Sequence, residues 1–211
     1  MNKYISEFIG TAILFGAVIG SGIMGSILSP DDSGLILLYN SLVTSFVLYF
    51  LIASFQEYSS HFNPVVSLAF LLDKKISTNT FFVYVIIQIL GAITGVLIAN
   101  YLFGIENVVF SEKDRSGSNL FISEIIATFG LVLFILISKK ENIAFIVASY
   151  IGAAYWFTSS TSFANPAGTI GRTFSDTFAG ISPESILFFC IAQVIGSLMA
   201  FILYKNFYKK Q

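Results

Sequence analysis

The chain has 211 residues, 55% of them hydrophobic and only 11% charged, with a formal net charge of −1. A soluble domain usually carries roughly a quarter charged residues, so most of this chain must face lipid or other apolar helices, and the near-neutral balance argues against nucleic acid as a partner. One histidine, one cysteine and no metal-ligand cluster leave an intramembrane enzyme or a metal centre without its parts, and no cofactor is expected.

A membrane-crossing helix needs about 20 mostly apolar residues. The first such segment, 4–27, is too long for a signal-peptide core and contains Glu7, so it reads as a retained span. A second follows at 35–55. Residues 63–72 are apolar but only long enough for about 15 Å of helix, half a bilayer. Another span, 80–103, leads into the polar linker 104–118, which carries Glu112-Lys113-Asp114-Arg115. Spans at 119–138 and 142–161 come next, then a second short apolar stretch at 165–175 and a last span at 184–204. Gly16 with Gly20, Gly91 with Gly95, and Gly196 with Ala200 stand at the four-residue spacing that lets helices pack closely. Cys190 lies inside an apolar run and reads as a small packed hydrophobe.

Sorted by alternate loops, Lys3, Lys74, Lys75, Lys139, Lys140, Lys205, Lys209 and Lys210 fall on one side, and Lys113, Arg115 and Arg172 on the other. Eight basic residues against three place both termini in the cytoplasm of a multi-pass inner-membrane protein.

The halves repeat. Ser6-Glu7-Phe8-Ile9-Gly10-Thr11 is echoed by Ser123-Glu124-Ile125-Ile126-Ala127-Thr128, Asn63-Pro64-Val65 by Asn165-Pro166-Ala167, and Gln88-Ile89-Leu90-Gly91 by Gln193-Val194-Ile195-Gly196. Each half holds an odd number of spans, so the second copy enters from the opposite face. The organisation is a single domain, 1–211, of inverted repeats 1–103 and 119–211 joined by the linker.

Non-helical backbone is tolerated at membrane depth only where it is buried in protein or lines a watery cavity. Asparagine is a strong N-cap and proline suits the first helical position, so Asn63-Pro64 and Asn165-Pro166 start the two half-helices. If these enter from opposite sides, their N-termini meet near mid-membrane, each bearing about half a positive charge that repels cations and protons. Each asparagine amide is then available to a passing neutral, hydroxylated solute.

These paired motifs resemble those of the major intrinsic protein family, the aquaporins and aquaglyceroporins, over nearly the whole chain. Val65 in place of alanine is a mild departure. The resemblance implies an all-α, aquaporin-like fold: six transmembrane helices, two re-entrant half-helices, one pore per subunit and a homotetramer in the lipid bilayer. It also implies that Glu7 and Glu124 are buried acceptors for the half-helix loops, with proton relay as the rival role. His61 should line the cytoplasmic vestibule.

Most family members have an arginine directly after the second motif, where this chain has Gly168. Ungapped transfer from the asparagines gives a selectivity ring of Val43, Ala153, Ser162 and Gly168, short-chained and therefore wide. Trp156 shares a helical face with Ala153 and is a candidate to narrow it. Arg172, four residues after Gly168, either reaches back to the ring or, the favoured reading, complements the end of its short helix or anchors at the outer surface. The run Ala153-Ala154-Tyr155-Trp156-Phe157-Thr158 and the segment Asp176-Thr177-Phe178-Ala179-Gly180-Ile181 resemble a bacterial aquaglyceroporin branch associated with arsenic handling. The expected function is a passive channel for small neutral solutes: glycerol-like polyols, neutral arsenite species and water. The alternatives are a strict water channel and a proton-coupled small-solute transporter.

Overall fold

The computed structural model describes residues 2–105 and 108–209, so Lys210, counted above among the basic residues, lies outside them. Every regular element among the described residues is a helix, with no strand. Six longer helices, α1 (Lys3–Leu28), α2 (Ser33–Phe55), α4 (Thr78–Leu102), α5 (Ser118–Ile137), α6 (Ile143–Phe157) and α8 (Ile186–Leu203), enclose two short ones, α3 (Pro64–Leu72) and α7 (Pro166–Gly171). Side-chain caps fix several starts: Asn2 accepts from the Tyr4 N–H, Asp32 from Leu35 and Ser77 from Thr80, each satisfying a donor that the first turn leaves free.

Five of the longer helices are long and apolar enough to cross a membrane. The sixth, α6, has 15 residues, about 22 Å of helix. The span expected at 142–161 is thus shorter. A 3₁₀ turn over Lys140–Asn142 precedes it, and the chain leaves the helix at Thr158 to re-enter the protein, with Thr161, Ser162 and Ala164 in the left-handed region. The half-helix expected at 165–175 is likewise α7 followed by a 3₁₀ turn, Arg172–Phe174.

The most extensive packing joins α1 to α4 and α5 to α8. Glycines set these approaches. A Cβ on Gly95 would lie 2.0 Å from the Ala12 carbonyl oxygen, one on Gly91 2.7 Å from that of Phe8, and one on Gly196 2.5 Å from that of Ile125. Backbone touches backbone there, as in close-packed membrane helices. Gly20 differs, since a Cβ there would meet only the Phe103 ring, at 3.4 Å.

The interior is built from Phe15 and Ile19 of α1, Leu51 of α2, Val96 of α4, Leu131 of α5 and Ile151 of α6. Phe46, Ile86, Phe145 and Leu187 stand exposed on outward faces. Such a surface suits hydrocarbon rather than water.

Candidate functional site: the meeting of the two half-helices

Asn63 and Asn165 cap α3 and α7. The Asn63 side-chain oxygen accepts from the Val65 N–H at 3.1 Å, and that of Asn165 from Ala167 at 3.1 Å and Gly168 at 3.3 Å, with Pro64 and Pro166 in the first turns. The caps also cross. Asn63 Nδ2 donates to the Ala164 carbonyl at 2.8 Å, and Asn165 Nδ2 to that of Phe62 at 2.9 Å. Phe62 and Ala164 precede the asparagines and have φ of 50° and 47°, a left-handed conformation that aims each carbonyl at the opposite loop. The two loops therefore hold each other by a reciprocal pair of bonds.

Behind each loop lies a fully buried carboxylate. Glu7 accepts from the backbone N–H groups of His61 and Phe62, each at 2.7 Å, from Ser59 Oγ at 2.6 Å and from Gln88 Nε2 at 2.8 Å. Glu124 accepts from the N–H groups of Phe163 and Ala164 at 2.9 Å and from Gln193 Nε2 at 2.7 Å. Gln88 and Gln193 also donate to Ser67 and Thr169 of the two half-helices. Gln88, Gln193, Ser67 and Thr169 were missed as functional residues in the sequence. The Gln-x-x-Gly echo was the signal that could have found the two glutamines.

Beside the asparagines runs a cavity of about 510 Å³, lined from Lys3, Lys75 and Lys140 at the amino-terminal face, past His61, Asn63 and Asn165, to Tyr155, Ser162 and Arg172. Neither Glu7 nor Glu124 is in its lining, and both are 0% exposed. His61 lies against Phe70 with ring centroids 4.4 Å apart, and its Nδ1 is 3.0 Å from Ser67 Oγ. Among the described residues no three His, Cys, Asp or Glu side chains group as a metal site.

The ring transferred from the motifs requires correction. Ala153 and Trp156 are exposed on the outer side of α6, and the Trp156 indole donates to Ser41 Oγ at 3.1 Å. Val43 is half-buried and outside the cavity lining, and Gly168 is covered by Phe15. Of the expected set, Ser162 and Arg172 line the cavity. The residues beside them are Thr44 and Tyr155, with their hydroxyls 3.2 Å apart, and Phe163. One residue turns a helix by about 100°, so a slip from 44 to 43 or from 155 to 153 moves a side chain off the cavity face.

Arg172 does not anchor at the outer surface, one of the two roles in the reading favoured from sequence. It is 4% exposed, with its guanidinium carbon 3.3 Å from the centroid of the Phe163 ring. Its Nε donates to the Ala179 carbonyl. The flanking carbonyls are taken by the other two cations of this face: Lys113 Nζ donates to Phe178 at 2.7 Å and Arg115 Nε to Gly180 at 2.9 Å. Three consecutive carbonyls thus fasten the linker and the turn after α7 to one strand of chain.

Membrane-length helices around two asparagine-capped half-helices, with a lined cavity beside the caps, define a multi-pass membrane protein built as a channel rather than as an enzyme. The chain belongs to the major intrinsic protein family, whose model matches residues 1–155. It is 41% identical over 206 residues to the aquaglyceroporin AqpS of Rhizobium meliloti (strain 1021), covering 96% of this chain and 88% of that one. Aquaporin TIP2-3 of Arabidopsis thaliana is 26% identical over 223 residues, 97% of this chain and 86% of its own. The X-ray structure of the aquaglyceroporin from Plasmodium falciparum superposes with a TM-score of 0.72 at 21% identity, covering 97% of this chain and 95% of that chain, which supports the fold.

Proposed function

We propose that the chain is a passive channel for small neutral solutes, namely glycerol-like polyols, water and neutral trivalent arsenic hydroxides, which move through the cavity beside Asn63 and Asn165. The crossed asparagine caps carry this reading. Each amide has two N–H donors, and the bond to the opposite loop uses one. The second is left for a solute hydroxyl that has shed water. The half-helix N-termini meet there, and their dipoles oppose the entry of cations and protons.

The rest of the lining sets Thr44, Tyr155, Ser162 and Arg172 among Phe15, Val66, Ile151 and Phe163. A polyol has the same mixture of hydroxyl and C–H surface. The relative named an aquaglyceroporin supports conduction beyond water, and the arsenic hydroxides are included because they resemble a small polyol in size and hydroxylation. Arg172 takes over the part of the family's filter arginine from one helical turn further along. Its position over Phe163 is what favours the second reading, a strict water channel, because it narrows that end of the passage. Proton coupling is disfavoured by the enclosure of both carboxylates.

In the same reading the two halves are inverted copies in a homotetramer, and the basic residues of the amino-terminal face hold both termini in the cytoplasm of the inner membrane. Stopped-flow light scattering on proteoliposomes, challenged in turn with water, glycerol and arsenite gradients, tests the function. Glycerol and arsenite uptake above protein-free vesicles, unaltered by a proton gradient, is the expected result. Water flux alone would establish the strict water channel.

A further inference from the structure

Gly168 occupies the first turn of α7 with an ordinary negative φ, so its backbone does not require glycine. Space does. A Cβ there would lie 2.2 Å from two ring carbons of Phe15, well inside contact distance. Phe15 is 4% exposed and lines the cavity from α1 with Leu14 and Val18. Its helix cannot retreat, because the backbones of α1 and α4 already touch at Ala12 and Gly95 and Glu7 ties α1 to the first half-helix loop. Any side chain at 168 must therefore turn the ring.

The pair of positions related to these by the repeat is filled differently. The offset that aligns Glu7 with Glu124 aligns Phe15 with Val132, and the position matching Gly168 after the first motif is Val66. Val66 lines the cavity, whereas Val132 packs away from it with Ala69 and Ala200. The first half thus lines the passage twice, with Val66 from its half-helix and the Phe15 ring from its long helix, whereas the second half withdraws the side chain at 168 to hydrogen and turns Val132 away.

We propose that Phe15 and Gly168 form a single size-determining pair, in which the ring fills the room left by the missing side chain and sets the width of solute that passes between Asn165 and Arg172. This rests on the reading of the chain as a solute channel. Phe15→Ala opens the passage, so the flux of a four-carbon polyol relative to water rises. Gly168→Ala drives the ring into the passage, and overpacking of this kind cuts glycerol flux by about tenfold with a smaller loss of water flux. In the double variant the clash has no ring to act on, so Gly168→Ala costs almost nothing in the Phe15→Ala background.

The experiment is stopped-flow permeability of proteoliposomes to water, glycerol and a four-carbon polyol, for wild type, both single variants and the double. Strong non-additivity with a raised polyol-to-water ratio in Phe15→Ala supports the pair. Independent effects that simply multiply, or an unchanged ratio in Phe15→Ala, overturn it. If Gly168→Ala alone does not fold, recovery of the folded protein in the double variant is the required sign of the same clash, and failure to recover overturns the pair. A wild type no more permeable than empty vesicles would instead overturn the channel reading itself.

Discussion

Glu124 holds its loop by accepting two backbone N–H bonds and one from Gln193, and every one of these needs an acceptor with no proton of its own. Glu124→Gln turns one oxygen into a donor facing a donor. A charge-assisted bond of about 1.5–3 kcal/mol is lost and a buried N–H is left unpaired. The melting temperature of the purified protein should fall and solute flux with it, and Gln193→Leu should give a milder version of both. A Glu124→Gln protein that melts normally yet loses a proton-driven uptake would restore the relay role. Arg172→Ala tests the opposite end of the passage. Removing the guanidinium from the Phe163 face frees volume and a positive charge, so glycerol flux should rise several-fold relative to water and proton leak should increase. A lower glycerol-to-water ratio would show that Arg172 binds solute rather than excluding it. At this scale the positions of the asparagines and glutamates were legible because the two copies echo each other. Thr44, Tyr155 and Phe15 were not. They are ordinary residues in apolar helices, and which of their faces meets the cavity is set by how α1, α2 and α6 pack rather than by any motif.

Among the elements, the α1–α4 and α5–α8 contacts carry the halves, and glycine backbones make them. Gly95→Ala places a methyl 2.0 Å from the Ala12 carbonyl oxygen, and Gly196→Ala one 2.5 Å from that of Ile125, so the helices must separate. The loss should amount to about 1–3 kcal/mol for each, read as a lower melting temperature and less folded protein after extraction. Gly20→Ala is the control. The nearest atom to its new methyl is a Phe103 ring carbon at 3.4 Å, so it should melt within a few degrees of wild type although it shares the same sequence spacing. A large loss in Gly20→Ala would mean that spacing, not contact, governs these helices. The small-residue pattern thus indicated where helices approach without indicating which glycine of a pair bears the contact. The eight helices were legible from apolar run length. The ends of α6 and α7 were not: small uncharged residues, Thr158, Ser159, Ser160 and Thr161, follow α6, and Arg172, Thr173 and Phe174 follow α7, with no proline to mark the change of backbone.

On the scale of the whole molecule, the carboxyl-terminal end of the chain returns to the half-helix of the first half. Asp73 caps the C-terminal end of α3, and its side chain pairs with Lys75 at 3.0 Å and with Lys209, beyond the π-helical turn Tyr204–Tyr208. Burial alone would raise the Asp73 carboxyl, but the bonds from Lys209 and Lys75 outweigh it and hold the group below the usual carboxylate range. A carboxylate depressed in the folded state contributes stability that is fully present above its unfolded value, about 3.9, and is lost as pH falls through its lower folded value. The latch should therefore be closed at neutral pH and open only in strong acid. Asp73→Asn removes the charge without changing the shape. At pH 7 it should speed proteolytic trimming of the segment after Leu203 and lower the melting temperature, and added salt should narrow the gap to wild type because Lys209 and Lys75 are exposed at their charged ends. As pH falls below about 3.9 the gap should narrow, and the two proteins should converge once the wild-type carboxylate protonates in strong acid. A gap that persists unchanged from pH 7 into strong acid would show that the ion pairs are not what the substitution removes, since the cap's own bonds come from the Asp73 backbone N–H, to the Ala69 and Leu71 carbonyls, and survive in asparagine.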